Sequence, residues 1–348
     1  MSFSVGIVGF PNAGKSTLFK ALTKREIAIA PYPFTTINPN IAQVKIIDER
    51  LLKISEILKP EKITFAEIEF IDVAGLVKGA HLGQGLGNQF LSHIQRCNLI
   101  LLVLRAFEDS KIEHPEKTID PARDLQILKN EFKMKDLKII RENLKKIEKR
   151  TPSSKEEKMK IEVLKKIEES LEKDEEIKLE KDEFFLIKNF QFLSLKPKII
   201  LLNINQTQNL KKEKILILNE KMPLIEADLK TELDFSELSE AEKKELGLKS
   251  LLEKIIKKCY DTLNLITFFT VVGGKEAKAW SLKEGETVLK AAEKIHSDFA
   301  KKFIKAEIID WEKLVAAGSW KNAKEKGWLK IASKNEILKD GQIIEIKI

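Results

Sequence analysis

Phe3-Ser4-Val5-Gly6-Ile7-Val8-Gly9, then Phe10-Pro11-Asn12-Ala13-Gly14-Lys15-Ser16-Thr17, then Leu18-Phe19-Lys20-Ala21-Leu22 read in turn as a short apolar strand, a tight loop and the start of a helix. Gly9 and Gly14 let the backbone turn its N–H groups inward around a phosphate, Lys15 can reach the β and γ phosphates, and the Ser16 hydroxyl can hold Mg²⁺. The helix opening at Lys15 adds the positive end of its dipole. Asn12, Ala13, Gly14, Lys15, Ser16 and Thr17 are therefore candidate nucleotide-binding residues, and Lys15 is also counted among the catalytic groups.

Working outward, Ala28 to Asn40 carries prolines at 31, 33 and 39, which exclude a helix and predict a loop. In nucleotide switches a hydroxyl on such a loop completes the Mg²⁺ shell, and Thr36 is the candidate with Thr35 in reserve. Ile41 to Ile47 reads as a strand, Glu49 to Leu58 as an amphipathic helix, and Phe65 to Ile71 as a half-exposed strand. That strand ends in Asp72-Val73-Ala74-Gly75-Leu76, about 55 residues after the phosphate loop. Asp72 suits a residue that orients Mg²⁺ through water, and the Gly75 amide can sense a γ phosphate. The glycine-rich stretch Val77 to Gly87 has the backbone freedom of a second switch. Asn98 to Leu104 is a continuous apolar run, as in a buried parallel strand. Strand, phosphate loop, helix, switch, strand, Asp-x-x-Gly, switch, helix and strand make an α/β P-loop NTPase of GTPase-like topology.

Composition agrees with several domains. The chain has 348 residues, 43% hydrophobic, with 62 basic against 54 acidic residues and a net charge of +8. The balance leans mildly toward polyanionic partners such as RNA. Only seven of the basic residues are Arg, so candidates for an internal arginine finger are few. No run of about 18 apolar residues occurs, and the start lacks the pattern of an export signal, so a soluble cytoplasmic protein without membrane association is expected. Cys97 and Cys259 cannot build a disulfide framework and suit buried thiols.

Between the halves of the nucleotide domain lies a Lys/Glu-rich insertion. Leu125, Leu128, Phe132, Leu137, Ile140, Leu144 and Ile147 recur at helical spacing, as do Ile161, Leu164, Ile167 and Leu171. Thr151-Pro152-Ser153 separates the two runs, and Ser154 with Glu157 forms a capping box. An antiparallel helical hairpin follows, each helix of roughly 25 residues reaching about 38 Å. Lys198 to Leu202 is a strand ending in Asn203-Ile204-Asn205-Gln206, Met222 to Ala227 is the last strand of this domain, and Leu248 to Leu263 a helix. From Ile266 short strands at 266–272, 279–281, 306–309, 328–331 and 343–348 surround a helix at 288–296. The four tryptophans suit core packing better than base stacking. The expected domains are 1–122 and 193–264 for the NTPase, 123–192 for the hairpin and 265–348 for the C-terminal β module.

Gly9 to Leu18, Tyr32 to Asn40, Asp72 to Ala80, Asp120-Pro121-Ala122-Arg123-Asp124 and Ile295-His296-Ser297-Asp298-Phe299 together resemble the Obg-like ATPase (YchF) family over nearly the whole chain. The C-terminal module resembles a TGS domain, a β-grasp fold found on proteins that bind RNA or ribosomes. The resemblance implies an ATPase that acts on a ribosomal partner, large subunit or whole ribosome, as a nucleotide-dependent regulator in translation or stress response. A GTPase of the broader Obg class, and a ribosome-binding factor with incidental hydrolysis, are the alternatives.

The residues bear on each point. In GTPases Asn-Lys-x-Asp reads guanine, and here both Lys and Asp are missing. A Gln amide cannot replace the anionic acceptor, and losing a charge-assisted pair costs roughly 1.5 to 3 kcal/mol. The family pattern is Asn-x-x-Glu; Gln206 departs from it, so adenine is favoured by an unknown margin. Asn203 is placed at the adenine edge, Ile204 on its face, and Glu226-Ala227 in the usual Ser-Ala position against the base. Leu76 stands where many GTPases have the water-orienting Gln, which predicts slow intrinsic turnover. His114 matches the position the resemblance marks as catalytic, with His81 as runner-up. Asn12 further suggests a K⁺ site that could substitute for an arginine finger. Thr35 replaces the Cys some members carry in the first switch, so thiol control through that position is absent. A monomer is expected.

Overall fold

The computed structural model describes residues 3–24, 40–73, 79, 87–148, 154–205, 222–248, 250–272 and 274–348. Thr35, Thr36, Gly75, Leu76, His81 and Gln206 lie outside the described residues. The chain divides into two compact units, one of residues 4–42 and 70–252, the other of 1–3, 43–69 and 253–348.

The first sheet has the strand order β2-β4-β1-β5-β6-β7, built from β1 (Phe3–Val8), β2 (Asn40–Ile46), β4 (Ala66–Asp72), β5 (Leu99–Arg105), β6 (Lys198–Asn203) and β7 (Leu224–Ala227). Strands β1, β5, β6 and β7 are parallel, with Val5 opposite Leu99, Ile100 opposite Lys198 and Asn203 opposite Ala227. Every residue of β5 is buried, because helices cover both faces of a parallel sheet and leave no polar side for alternation to mark. The helices of this unit are α1 (Lys15–Thr23), α3 (Gly87–Arg96), the 28-residue α4 (Pro121–Glu148), α5 (Lys155–Glu172), α6 (Lys181–Ile187), α7 (Leu229–Ser236) and α8 (Glu240–Glu245).

Helix α4 takes part in two cores. Its Leu125, Leu128 and Phe132 pack with Ile94, Leu102 and Leu202 of the sheet layer, whereas Leu137, Ile140 and Leu144 pack with Val163, Leu164, Ile167 and Leu171 of α5. Lys133 pairs with Asp174 and Arg141 with Glu168 and Glu172, so residue number falls along α5 as it rises along α4: the pair is antiparallel. Ser154 caps α5 by accepting from the Glu157 amide at 3.1 Å.

The second sheet runs β11-β10-β12-β8-β9-β3. Its strands are β8 (Leu265–Val272), β9 (Glu276–Lys283), β10 (Lys305–Asp310), β11 (Lys330–Ala332), β12 (Gln342–Lys347) and β3 (Lys62–Thr64). Five of these coincide with the strands read near residues 266 to 348. Strand β3 was not read: it pairs in parallel with β9, Lys62 opposite Glu276. The helices of this unit are α2 (Glu49–Leu58), α9 (Leu252–Thr262), α10 (Val288–Ile295), α11 (Ser297–Lys301), α12 (Trp311–Ala317) and α13 (Trp320–Glu325). Leu51 and Ile54 of α2 share a buried cluster with Phe269, Leu314 and Ala317. Arg50 binds Asp48 and Asp340 and lies 5.5 Å over the Phe269 ring. Trp280 donates its ring N–H to Thr270 at 2.9 Å and stacks on Phe268, while Trp328 is 37% exposed.

Candidate functional site: a phosphate loop and a buried charge network

Strand β1 delivers the chain into the loop 9–14, and two glycines are required there by close approach. A Cβ on Gly9 would stand 2.3 Å from the Val103 carbonyl oxygen, and one on Gly14, whose φ is +107°, would stand 2.3 Å from Asn203 Nδ2. Asn12 also takes a left-handed φ of 64°, a conformation Asn tolerates better than most residues. The result is a loop pressed against the carboxyl ends of β5 and β6, where ligands bind in sheets of this kind.

Lys15 opens α1 and is 6% exposed. Its ammonium donates to the Phe10 carbonyl of its own loop at 2.8 Å. Burial lowers its pKa from 10.5 to about 8, against the opposing pull of the Asp72 carboxylate. Asp72 ends β4, and its carboxyl is pushed upward by burial, against Lys15 and Ser16. Ser16 Oγ donates to Asp72 Oδ2 across a long 3.4 Å, while the buried Asp72 Oδ1 has no hydrogen-bond partner. A buried carboxylate oxygen without a donor is costly. A hard divalent cation satisfies it, and the neighbouring hydroxyl is an oxygen donor of the same kind. The residues present thus fit Mg²⁺.

Asn203, at the end of β6, is 5% exposed. Its Nδ2 donates to the Ala13 carbonyl at 2.9 Å and its Oδ1 accepts from the Leu229 amide at 3.2 Å. The amide therefore ties the phosphate loop to the start of α7. Ile204 donates its amide to the Ala227 carbonyl at 3.0 Å and packs on the sheet-layer core; Ala227 is buried and Glu226 exposed. Thr17 lies in the first turn of α1 and is part-exposed.

His114 lies beside the loop. Its ring meets Phe10 edge-on at 5.9 Å, and Asn12 Nδ2 donates to the Glu113 carbonyl at 3.1 Å. The imidazole Nε2 is 2.9 Å from Asp124 Oδ2 and its Nδ1 accepts from the Glu116 amide at 3.1 Å. An acceptor at Nδ1 places the proton on Nε2, donated to the carboxylate. Asp124 is itself held by Arg123 at 2.9 Å, and burial pushes its carboxyl upward against the pull of Arg123 and His114. Both ring nitrogens are engaged within the fold, so acting on a water requires one of these bonds to open. Asn12, Arg105, Asp109, Glu113, His114 and Lys117 are among the residues lining an open cleft of about 930 Å³.

The structure thus brings Lys15, Ser16 and Asp72 together, and separately joins Asn12 to the His114 loop. Three residues went unread as parts of the site. Arg105 closes an otherwise apolar strand in a chain with few arginines, which is a usable signal. Asp124 sits in a motif read only for its resemblance. Glu131, 3% exposed on α4, accepts from the Gly79 amide at 2.7 Å, a pairing between residues 52 apart that no local pattern announces.

A sheet with parallel β1, β5, β6 and β7, whose first strand runs into this loop, with Asp72 at the end of the neighbouring β4, defines a P-loop NTPase of the GTPase class. A family model described as 50S ribosome-binding GTPase (MMR_HSR1) matches residues 4–142, and the YchF-GTPase_C model, described as protein of unknown function (DUF933), matches residues 265–348. The chain belongs to the YchF family. It is 40% identical to "Ribosome-binding ATPase YchF" of Mycoplasma genitalium, over 99% of this chain and 98% of that one. It is 42% identical to the protein of that name from Buchnera aphidicola subsp. Acyrthosiphon pisum over 99% and 98%, and 35% to that of Bacillus subtilis over 100% and 99%. Among solved structures the Schizosaccharomyces pombe YchF GTPase superposes with a TM-score of 0.84 at 34% identity, covering 99% of this chain and 98% of that one.

Proposed function

We propose that this chain is a cytoplasmic, monomeric ATPase that hydrolyses ATP to ADP and phosphate and binds the ribosome as a nucleotide-dependent factor. The observation that carries the reading is the meeting of Lys15, Ser16 and the orphaned Asp72 oxygen at the phosphate loop. Loop amides and the Lys15 ammonium receive the phosphates, and Ser16 and Asp72, with Thr36, hold Mg²⁺. When bound, that cation neutralises charge on the β and γ phosphates. Gly75 contributes an amide to the γ phosphate, and Asn203, Ile204, Gln206, Glu226 and Ala227 surround the base. His114 serves the attacking water once freed from Asp124 or Glu116. Asn12 is the K⁺ candidate; equal turnover in Na⁺ and K⁺ would remove that role.

Support for ATP and for the ribosome comes from the names of the full-length relatives. The GTPase reading stays in play because the S. pombe structure carries that word. Titration of fluorescent ATP and GTP analogues at fixed Mg²⁺, followed by sedimentation with ribosomes, decides between them. Tighter ATP binding and nucleotide-dependent co-sedimentation are expected; preference for GTP overturns the ATPase assignment.

A further inference from the structure

Arg105 is the residue whose chemistry is least explained by the scheme above. It ends β5 and is 1% exposed, among the largest fully buried side chains described. A buried guanidinium needs compensation, usually a carboxylate. Here its bonds go to main-chain carbonyls: Nε to Phe107 at 3.1 Å, one terminal nitrogen to Ile112 at 3.0 Å and Glu113 at 3.4 Å, the other to Asp109 at 3.3 Å. The cation also lies 4.6 Å from the centre of the Phe107 ring. Burial lowers its pKa, with Asp109 opposing.

The carbonyls so gathered belong to one stretch, residues 107–113, which has neither helix nor strand to organise it. The fork replaces a ladder: one rigid planar group fixes four backbone positions at once. The last of them, the Glu113 carbonyl, also accepts from Asn12 of the phosphate loop, and the next residue is His114, edge-on to Phe10. Arg105 is thus joined through a single carbonyl to the loop that would hold the nucleotide.

We propose that Arg105 is a positioning residue for hydrolysis, setting the 106–114 loop so that Asn12 and His114 stand in register with the phosphates. It is not an arginine finger, since four of its five N–H donors are engaged inside the protein. The inference rests on the ATPase reading of the site. Lysine keeps the charge but not the fork, so Arg105→Lys leaves most of the four carbonyls unheld.

The test uses the full chain. For Arg105→Lys, kcat is expected to fall about 10- to 100-fold while the dissociation constant of a fluorescent ATP analogue stays within about twofold. Amide exchange in peptides spanning residues 106–116 should speed up, and Asn12→Ala in the same background should add less than its separate effect on kcat. Unchanged kcat overturns the inference, as does a loss of kcat without faster exchange, or with full additivity. Should Arg105→Lys fail to fold, Arg105→Gln, which keeps one end of the fork without the charge, takes its place: reduced kcat with retained analogue affinity and faster exchange at 106–116 supports the inference, and unchanged kcat overturns it. Absence of ATP turnover in the unaltered chain overturns the underlying ATPase reading instead, which separates the two failures.

Discussion

The two compact units bury different chemistry. In the unit of residues 4–42 and 70–252 the buried side chains include Lys15, Arg105, His114, Asp124, Glu131, Asp136 and Glu232; in the other, the buried polar residues described are Ser55, Thr267, Thr270, Ser281 and Gln342, all uncharged. Charge in that second unit is partly or fully exposed, from the Arg50–Asp48 pair at 26% and 11% to the Lys321–Glu325 pair at the surface. Desolvating an ion costs several kcal/mol and its pairing often only breaks even, so stability alone does not favour this distribution. An apolar core stabilises a β-grasp-like unit adequately. Buried ions are concentrated instead where loops without regular structure must be held in place around the phosphate loop, and along α4.

The sharpest way to break the comparison is Lys15→Ala, expected to lower turnover by about 10³-fold or more and to weaken ATP binding; retained affinity and hydrolysis would remove the phosphate loop from the scheme. Next is Asp136→Ala. Asp136 is wholly buried on α4 and accepts from the Leu193 and Ser194 amides at 2.9 and 2.7 Å. Stripping both donors of their acceptor should cost about 3 kcal/mol in urea unfolding, and a change below about 1 kcal/mol would show that α4 is held by its apolar contacts alone. His114→Ala should cut kcat about 50-fold with little change in affinity; equal turnover would make the imidazole a packing group.

Lys15 also supplies a pH test. Its pKa is about 8 in the free protein against an ordinary 10.5, and bound phosphates raise it by their charge. ATP binding should therefore take up a proton at pH values above about 8 and almost none at pH 7, with affinity falling as pH rises through about 8. Binding enthalpies in buffers of different ionisation heat measure the uptake, and no uptake at pH 9 would contradict a buried ammonium. The smallest effect belongs to the other unit: Lys321→Ala removes the exposed pair with Glu325 and should shift stability by at most about 0.5 kcal/mol, leaving turnover unchanged.

Periodic elements were legible from sequence. The helix read at 49–58 is α2 with the same ends, and the apolar run before Arg105 is β5. Misses came where local pattern is thin. Strand β3 is three residues of mixed polarity whose existence depends on β9, more than 200 positions away. Helices α12 and α13 follow the caps Asp310 and Ser319 around Gly318, but their tryptophans drew attention as core residues rather than helix formers. At the site, residue types were readable and partners were not. Asn203 is read toward the base from its position, and nothing local announces that its amide also closes on Ala13 and Leu229, a geometry set by how near β6 comes to the phosphate loop.

Residues 43–69 have a practical bearing on how this chain can be dissected. Leu51 and Ile54 are wholly buried against side chains that come from beyond residue 253, and β3 hydrogen-bonds to a strand from the same region. A chain stopped at residue 252 would therefore not be a clean nucleotide-binding fragment: it would carry a greasy helix and an unpaired strand edge into water, and its insolubility would say nothing about what the missing part does.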